Sequence, residues 1–246
     1  MSRLALLGGQ KTISIDYLKA ATLPVVSEKG KRVVNELMEK GEISQSPIVE
    51  RFARRFADYV GTDYGLCTNN RTSALESAVF AVGVAPGDEV IVPSYTFWAS
   101  VTPIIAQHGV PVFCEVDPDT HCIDPMDIER HVSARTKAIM VVHVWGNPCD
   151  MDPIMEIAKR HGLAVIEDCS HAHGASYKGR MVGSIGDVGC FSFQGSKTLP
   201  AGEGGILVTN DRTCYERAAA LGHYELIPTL PTDSPYHRYM LTGMGQ

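Results

Sequence analysis

No stretch of the sequence approaches the roughly eighteen unbroken apolar residues of a membrane-spanning helix, so no membrane span is expected. An excess of basic residues is also missing: 22 Lys and Arg stand against 28 Asp and Glu, for a formal net charge of -6. Neutralising a phosphate backbone needs the opposite balance, which removes nucleic acid from the expected partners. The opening MSRLALLGGQKT holds too short an apolar run for a signal peptide and no small-residue cleavage site, so a cytoplasmic location is expected. The seven cysteines (Cys67, Cys114, Cys122, Cys149, Cys169, Cys190 and Cys214) contain no CxxC pair and lie mostly in or beside apolar runs. Buried reduced thiols are expected from them, and no metal site. A GxGxxG turn after the first strand is lacking, which argues against dinucleotide-dependent oxidoreduction; GSIGDVG follows a loop and leads into a strand. There is no internal repeat and no low-complexity segment.

What is there has the balance of an ordinary globular domain, with 44% hydrophobic and 20% charged residues. Seven short apolar runs, at 64–68, 88–94, 110–116, 137–145, 163–168, 189–193 and 204–210, alternate with helical stretches. Continuously apolar strands are buried on both faces. The runs therefore predict an α/β fold with a mainly parallel seven-stranded sheet and helices on both faces, a closed strand–helix barrel being the other architecture they allow. A helical stretch at 30–40 lies in an N-terminal arm, 1–45. Ile48, Val49, Phe52, Phe56 and Val60 recur at helical spacing among Arg51, Arg54, Arg55 and Asp58, which predicts an amphipathic helix. Asp152 and Pro153 open another helix that Gly162 closes. The main domain is expected over 46–225, followed by a proline-bearing loop, 226–246.

Four segments carry candidate chemistry. In CTNNRTSALESAVFAVGV a strand ends at Thr68 and a helix begins near Thr72, leaving the N–H groups of Arg71, Thr72 and Ser73 to an anion such as a phosphate; the plainer reading is an N-cap. In IEDCSHAHG a strand delivers Asp168 at its carboxyl end, with His171 after it, at the edge where open α/β sheets bind ligands. A carboxylate there keeps a pyridine-type nitrogen protonated, or simply caps the next segment. In CFSFQGSKTLPAGEGG a polar turn holds Ser192, Gln194, Ser196 and Lys197 before Gly202 to Gly205. Confinement and a nearby cation would lower the pKa of that lysine and yield an amine that attacks carbonyls. In VPSYTFWAS the aromatics Tyr95, Phe97 and Trp98 either stack on a planar ring or pack into the core. A phosphate cradle, an aromatic face, a carboxylate and an amine at one edge are the contacts pyridoxal phosphate needs.

The ordered segments TNNRTSAL, VPSYTFWAS, VIEDCSHAHGA, VGSIGDVGCFSFQGSK and AGEGG resemble the DegT/DnrJ/EryC1/StrS family of sugar aminotransferases, over about Ile43 to Glu225. The resemblance implies a type I aminotransferase large domain, pyridoxal 5'-phosphate, and a homodimer with shared active sites. It implies amino transfer from glutamate or glutamine to a nucleotide-linked keto sugar or a keto cyclitol; QGSKTLPAGEGG with DTHCIDP looks nearest to members acting on scyllo-inosose-type cyclitols. By motif position Lys197 matches the Schiff-base lysine and Asp168 the acid at the ring nitrogen. His171 matches a residue beside the ring, Phe97 the stacking side chain, Ser192 a phosphate hydroxyl, and Arg71 with Thr72 the phosphate turn.

Three departures stand out. Arg71 occupies a position where the family usually has Gly, which implies either an altered turn or a guanidinium near phosphate or substrate. Ala53 replaces an acid common there, a matter of packing. The family's Asn-aromatic-Arg segment and small C-terminal domain are not in this sequence, so the chain reads as C-terminally truncated. Two alternatives follow: a sugar dehydratase using the same cofactor, against which Lys197 argues because dehydrating members often carry His there, and an inactive truncated fragment.

Overall fold

A computed structural model describes residues 7, 9–10, 26–44, 46–223, 225–226 and 229–236. The remainder of the expected N-terminal arm and of the 226–246 loop lies outside the described residues. The chain divides into two compact units, Met1–Gly41 and Glu42–Gln246. In the first, helix α1 (Glu28–Lys40) starts at Ser27, whose hydroxyl accepts the Gly30 N–H, and stops at Gly41 in the left-handed conformation.

The second unit is built on a seven-stranded sheet. Its strands are β1 (Tyr64–Thr68), β2 (Glu89–Pro93), β3 (Val110–Cys114), β4 (Thr136–Val142), β5 (Ala164–Asp168), β8 (Val188–Ser192) and β9 (Gly205–Thr209). All seven apolar runs become strands. They lie in the order β1-β9-β8-β5-β4-β2-β3, and only β9 runs antiparallel to its neighbours. The sheet has two open edges, β1 and β3, which excludes the barrel. A two-residue hairpin, β6 (Ser176–Tyr177) with β7 (Arg180–Met181), stands apart from it; strands that short leave no periodicity for a sequence reading to detect.

Alternation along each strand builds two cores. Ile139 and Val141 of β4 face helices α2 (Pro47–Val60), α5 (Pro125–His131) and α6 (Met151–His161). Ala138 and Met140 of the same strand face α3 (Arg71–Ala81), α4 (Thr102–Ala106) and α7 (Arg212–Gly222). Fully burying a Leu, Ile or Phe contributes roughly 1.5–3 kcal/mol, so these two layers dominate stability. Phe56 on α2 meets Phe191 and Phe193 edge to face at 5.0 and 5.2 Å, which locks that helix onto β8.

Two helix details differ from expectation. On α2 the buried face is Ala53, Phe56, Ala57 and Val60, while Val49 and Phe52 stay exposed. The apolar stripe marks one side of the helix, but only its carboxyl-terminal part is fully covered by the sheet. Helix α6 begins two residues early: Asp150 is the N-cap residue and Asp152 lies inside the first turn, where its charge still favours the helix dipole. No described helix is long and apolar enough to cross a membrane.

Candidate functional site

Every strand except β9 runs the same way, so the segments after β1, β2, β5 and β8 emerge at one edge of the sheet. Topology alone thus gathers the four candidate segments. Across that edge Thr68 and Ser192 both pair with Gly205. A Cβ on Gly205 would lie 2.5 Å from the Asn70 carbonyl, so glycine is what lets β9 approach the turn into α3.

Asp168 closes β5 and is 1% exposed. Its Oδ1 accepts the Ser170 N–H at 3.1 Å and the Ser170 hydroxyl. Its Oδ2 accepts the Ser100 hydroxyl at 2.7 Å and lies 3.1 Å from Arg71 Nη1. Burial pushes the carboxyl pKa up, but the Arg71 charge and the serine hydrogen bonds outweigh it, and the net value falls below the ordinary one. Asp168 is therefore a buried anion at neutral pH.

Lys197 sits half-buried on the turn after β8. That turn is pinned by its own bonds: Gln194 Oε1 accepts the Ser196 N–H and hydroxyl, and the Lys197 N–H donates to the Gln194 carbonyl at 2.8 Å. Burial and then the Arg71 charge lower the Lys197 pKa, against the opposing pull of Asp168. His171 is exposed, yet partial burial, the Lys197 charge and the Arg71 charge lower its pKa against the opposing pull of Asp168. Arg71 pairs with the carboxylate directly, and Lys197 and His171 lie within electrostatic reach of that pair.

The other candidates lie around this cluster. Phe97, 55% exposed, has the Arg71 guanidinium carbon 5.9 Å from its ring centre. Asn70 caps α3 by accepting the Ser73 N–H at 2.9 Å, which removes one of the three N–H groups expected to be free; those of Arg71 and Thr72 take no partner among the described residues. Ser192 is buried and accepts a long bond from the Gln194 N–H at 3.4 Å. Tyr95 turns away from Phe97 toward Trp145 and His121, each about 5.9 Å from it ring to ring.

Sequence reasoning missed Ser100, whose role depends on a partner 68 residues away. It also missed Glu167, the neighbour of Asp168. Glu167 is wholly buried and its four bonds go to His143 Nε2 at 3.0 Å and to the N–H groups of Gly183, Ile185 and Gly186. Cys169 lies with them close enough to suggest a metal cage. With every Glu167 lone pair taken and His143 Nδ1 accepting the Cys149 N–H, the cluster is an internal clamp on the 183–186 turn.

The family model for DegT/DnrJ/EryC1/StrS aminotransferases matches residues 24–229. The chain belongs to this family. Pyridoxal phosphate is the family's cofactor. GDP-perosamine synthase of Escherichia coli O157:H7 is 44% identical over 195 residues, 79% of this chain and 54% of that protein. L-glutamine:2-deoxy-scyllo-inosose aminotransferase of Streptomyces fradiae is 46% identical over 171 residues, 70% of this chain and 40% of that protein. Identity so nearly equal does not favour the cyclitol relatives over the sugar-nucleotide one. The aminotransferase from Psychrobacter cryohalolentis superposes with a TM-score of 0.82 at 35% identity, covering 87% of this chain and 56% of the other. The chain spans about half the length of the curated relatives it matches.

Proposed function

We propose that residues 46–225 form the cofactor-binding domain of a pyridoxal-phosphate-dependent aminotransferase that passes an amino group from glutamate or glutamine to a nucleotide-linked keto sugar or a keto cyclitol. The observation that carries this is a half-buried lysine amine and a buried, ionised aspartate delivered to the same carboxyl edge of the sheet by β8 and β5, with the lysine pKa lowered by burial and the Arg71 charge. When bound, the cofactor supplies a carbonyl carbon that accepts amines and a ring that takes up electrons. Asp168 holds a proton on the ring nitrogen, because its own pKa is too low to take that proton away. Lys197 anchors the cofactor and, once released, moves a proton to and from the substrate carbon; its lowered pKa keeps more of the amine neutral. Phe97 and His171 flank the ring. Thr72, Ser192 and the free N–H groups at the start of α3 hold the phosphate.

A homodimer belongs to the same reading, supported by the exposed rings of Phe97, Trp98 and Trp145 around the site. So does a cytoplasmic location, supported by seven cysteines that are all free.

Borohydride reduction in the presence of pyridoxal phosphate, followed by peptide mass spectrometry, tests the assignment. A stable adduct is expected on Lys197 and lost in Lys197→Ala. Labelling spread over exposed lysines, or none at all, rejects it. Product analysis with glutamine and a keto cyclitol separates amination from dehydration, which yields a deoxy product without consuming donor.

A further inference from the structure

We propose that Arg71 is a built-in occupant of the cation position at Asp168, and that a cationic ring enters this site only by exchanging with it. The inference rests on the cofactor reading above and concerns what that reading leaves unexplained.

Three hydrogen bonds and one ion pair surround the Asp168 carboxylate. A carboxylate offers about four lone-pair sites, and here Ser170 fills two through its N–H and hydroxyl, Ser100 a third, and Arg71 approaches the fourth. The guanidinium stands in front of that fourth position, so a ring N–H reaches it only if Arg71 moves aside. Ser170 is tied by its own backbone two residues on, and Ser100 is 0% exposed and also accepts the Thr96 hydroxyl at 2.9 Å. Arg71 is held differently. Nη1 is buried and within 3.1 Å of the carboxylate, yet makes no hydrogen bond, so charge alone retains it.

The guanidinium carbon also lies 5.9 Å from the ring centre of Phe97, a side chain that is itself more than half exposed. Charge requires the exchange as well. A second cation beside Asp168 would set two positive charges against one buried carboxylate, with the Lys197 amine within electrostatic reach of both. Conversely, Arg71 cannot leave an empty site cheaply, because an unpaired buried carboxylate is costly. The two cations therefore exclude each other, and Arg71 reduces apparent affinity by the fraction of time it holds Oδ2.

Equilibrium dialysis with pyridoxamine phosphate, which binds without any bond to Lys197, reads this directly. The variant Arg71→Met, similar in length but neutral, is expected to bind at least about ten-fold more tightly than the parent chain. A second measurement needs no variant: phenylglyoxal labelling of Arg71, followed by peptide mass spectrometry, is expected to be slow in the free protein and severalfold faster at saturating pyridoxamine phosphate. Equal affinities, or an Arg71 that stays protected at saturation, overturn the exchange while leaving the cofactor assignment intact. Failure of both proteins to bind pyridoxamine phosphate, with no borohydride adduct on Lys197, overturns the cofactor assignment and the exchange together.

Discussion

Glu167 and Asp168 are consecutive on β5 and both are sealed from solvent, yet their side chains serve opposite faces of the sheet: Glu167 binds His143 and the 183–186 turn, while Asp168 faces Arg71 at the site. Strand alternation sets one acid against the 183–186 turn and the other against Arg71.

The Arg71–Asp168 pair is expected to reveal itself in stability. Asp168→Asn leaves a guanidinium buried against a neutral amide, a loss of roughly 3–5 kcal/mol. Arg71→Met in the same chain should restore much of it. Urea unfolding of the two single variants and the double gives the coupling; additive effects would mean the charges do not meet.

Acid titration should expose the Glu167 strut. Burial pushes the Glu167 pKa up, but the hydrogen bond from His143 and those from the N–H groups of Gly183 and Gly186 outweigh it, and the net value is lowered. A depressed folded pKa contributes stability that is present above the unfolded value, about 4.3 for Glu, and lost as pH falls through the folded one. The parent chain should therefore destabilise steeply below about pH 4. Glu167→Gln, whose amide points a donor at backbone donors, should lose at least about 3 kcal/mol at neutral pH and show a shallower acid slope. An unchanged slope would rule out Glu167 as a titrating strut.

Lys197 offers a third test. Because the Arg71 charge helps to lower its pKa, Arg71→Met should raise it, and Asp168→Asn should lower it further. The pH dependence of reductive methylation at Lys197, followed by peptide mass spectrometry, reads the midpoint, expected below the free-lysine value of about 10.4. A midpoint indifferent to both substitutions would place the amine outside the cluster.

Much of the fold was legible in local pattern. Seven strands stood out because strands covered on both faces are apolar throughout, and Gly162 ends its helix because it takes a left-handed conformation. Local pattern failed where burial depends on what lies across the sheet. Val49 and Phe52 share the apolar stripe of α2 but extend past full cover. Ser100 reads as an ordinary serine until β2 and β5 bring it within 2.7 Å of Asp168.

Residue chemistry along the chain determined which groups were available: an amine, an acid, a helix start and aromatics, each tied to a particular strand end. Only the tertiary structure decided their partners, because a charge is stabilised by whatever lies within a few ångströms, and sheet order sets that neighbourhood. Strand order turned Glu167 inward to His143, and the turn into α3 brought Arg71 to Asp168, 97 positions apart in the sequence. No motif along the chain carries that pairing, since a long side chain's direction follows from the packing around it.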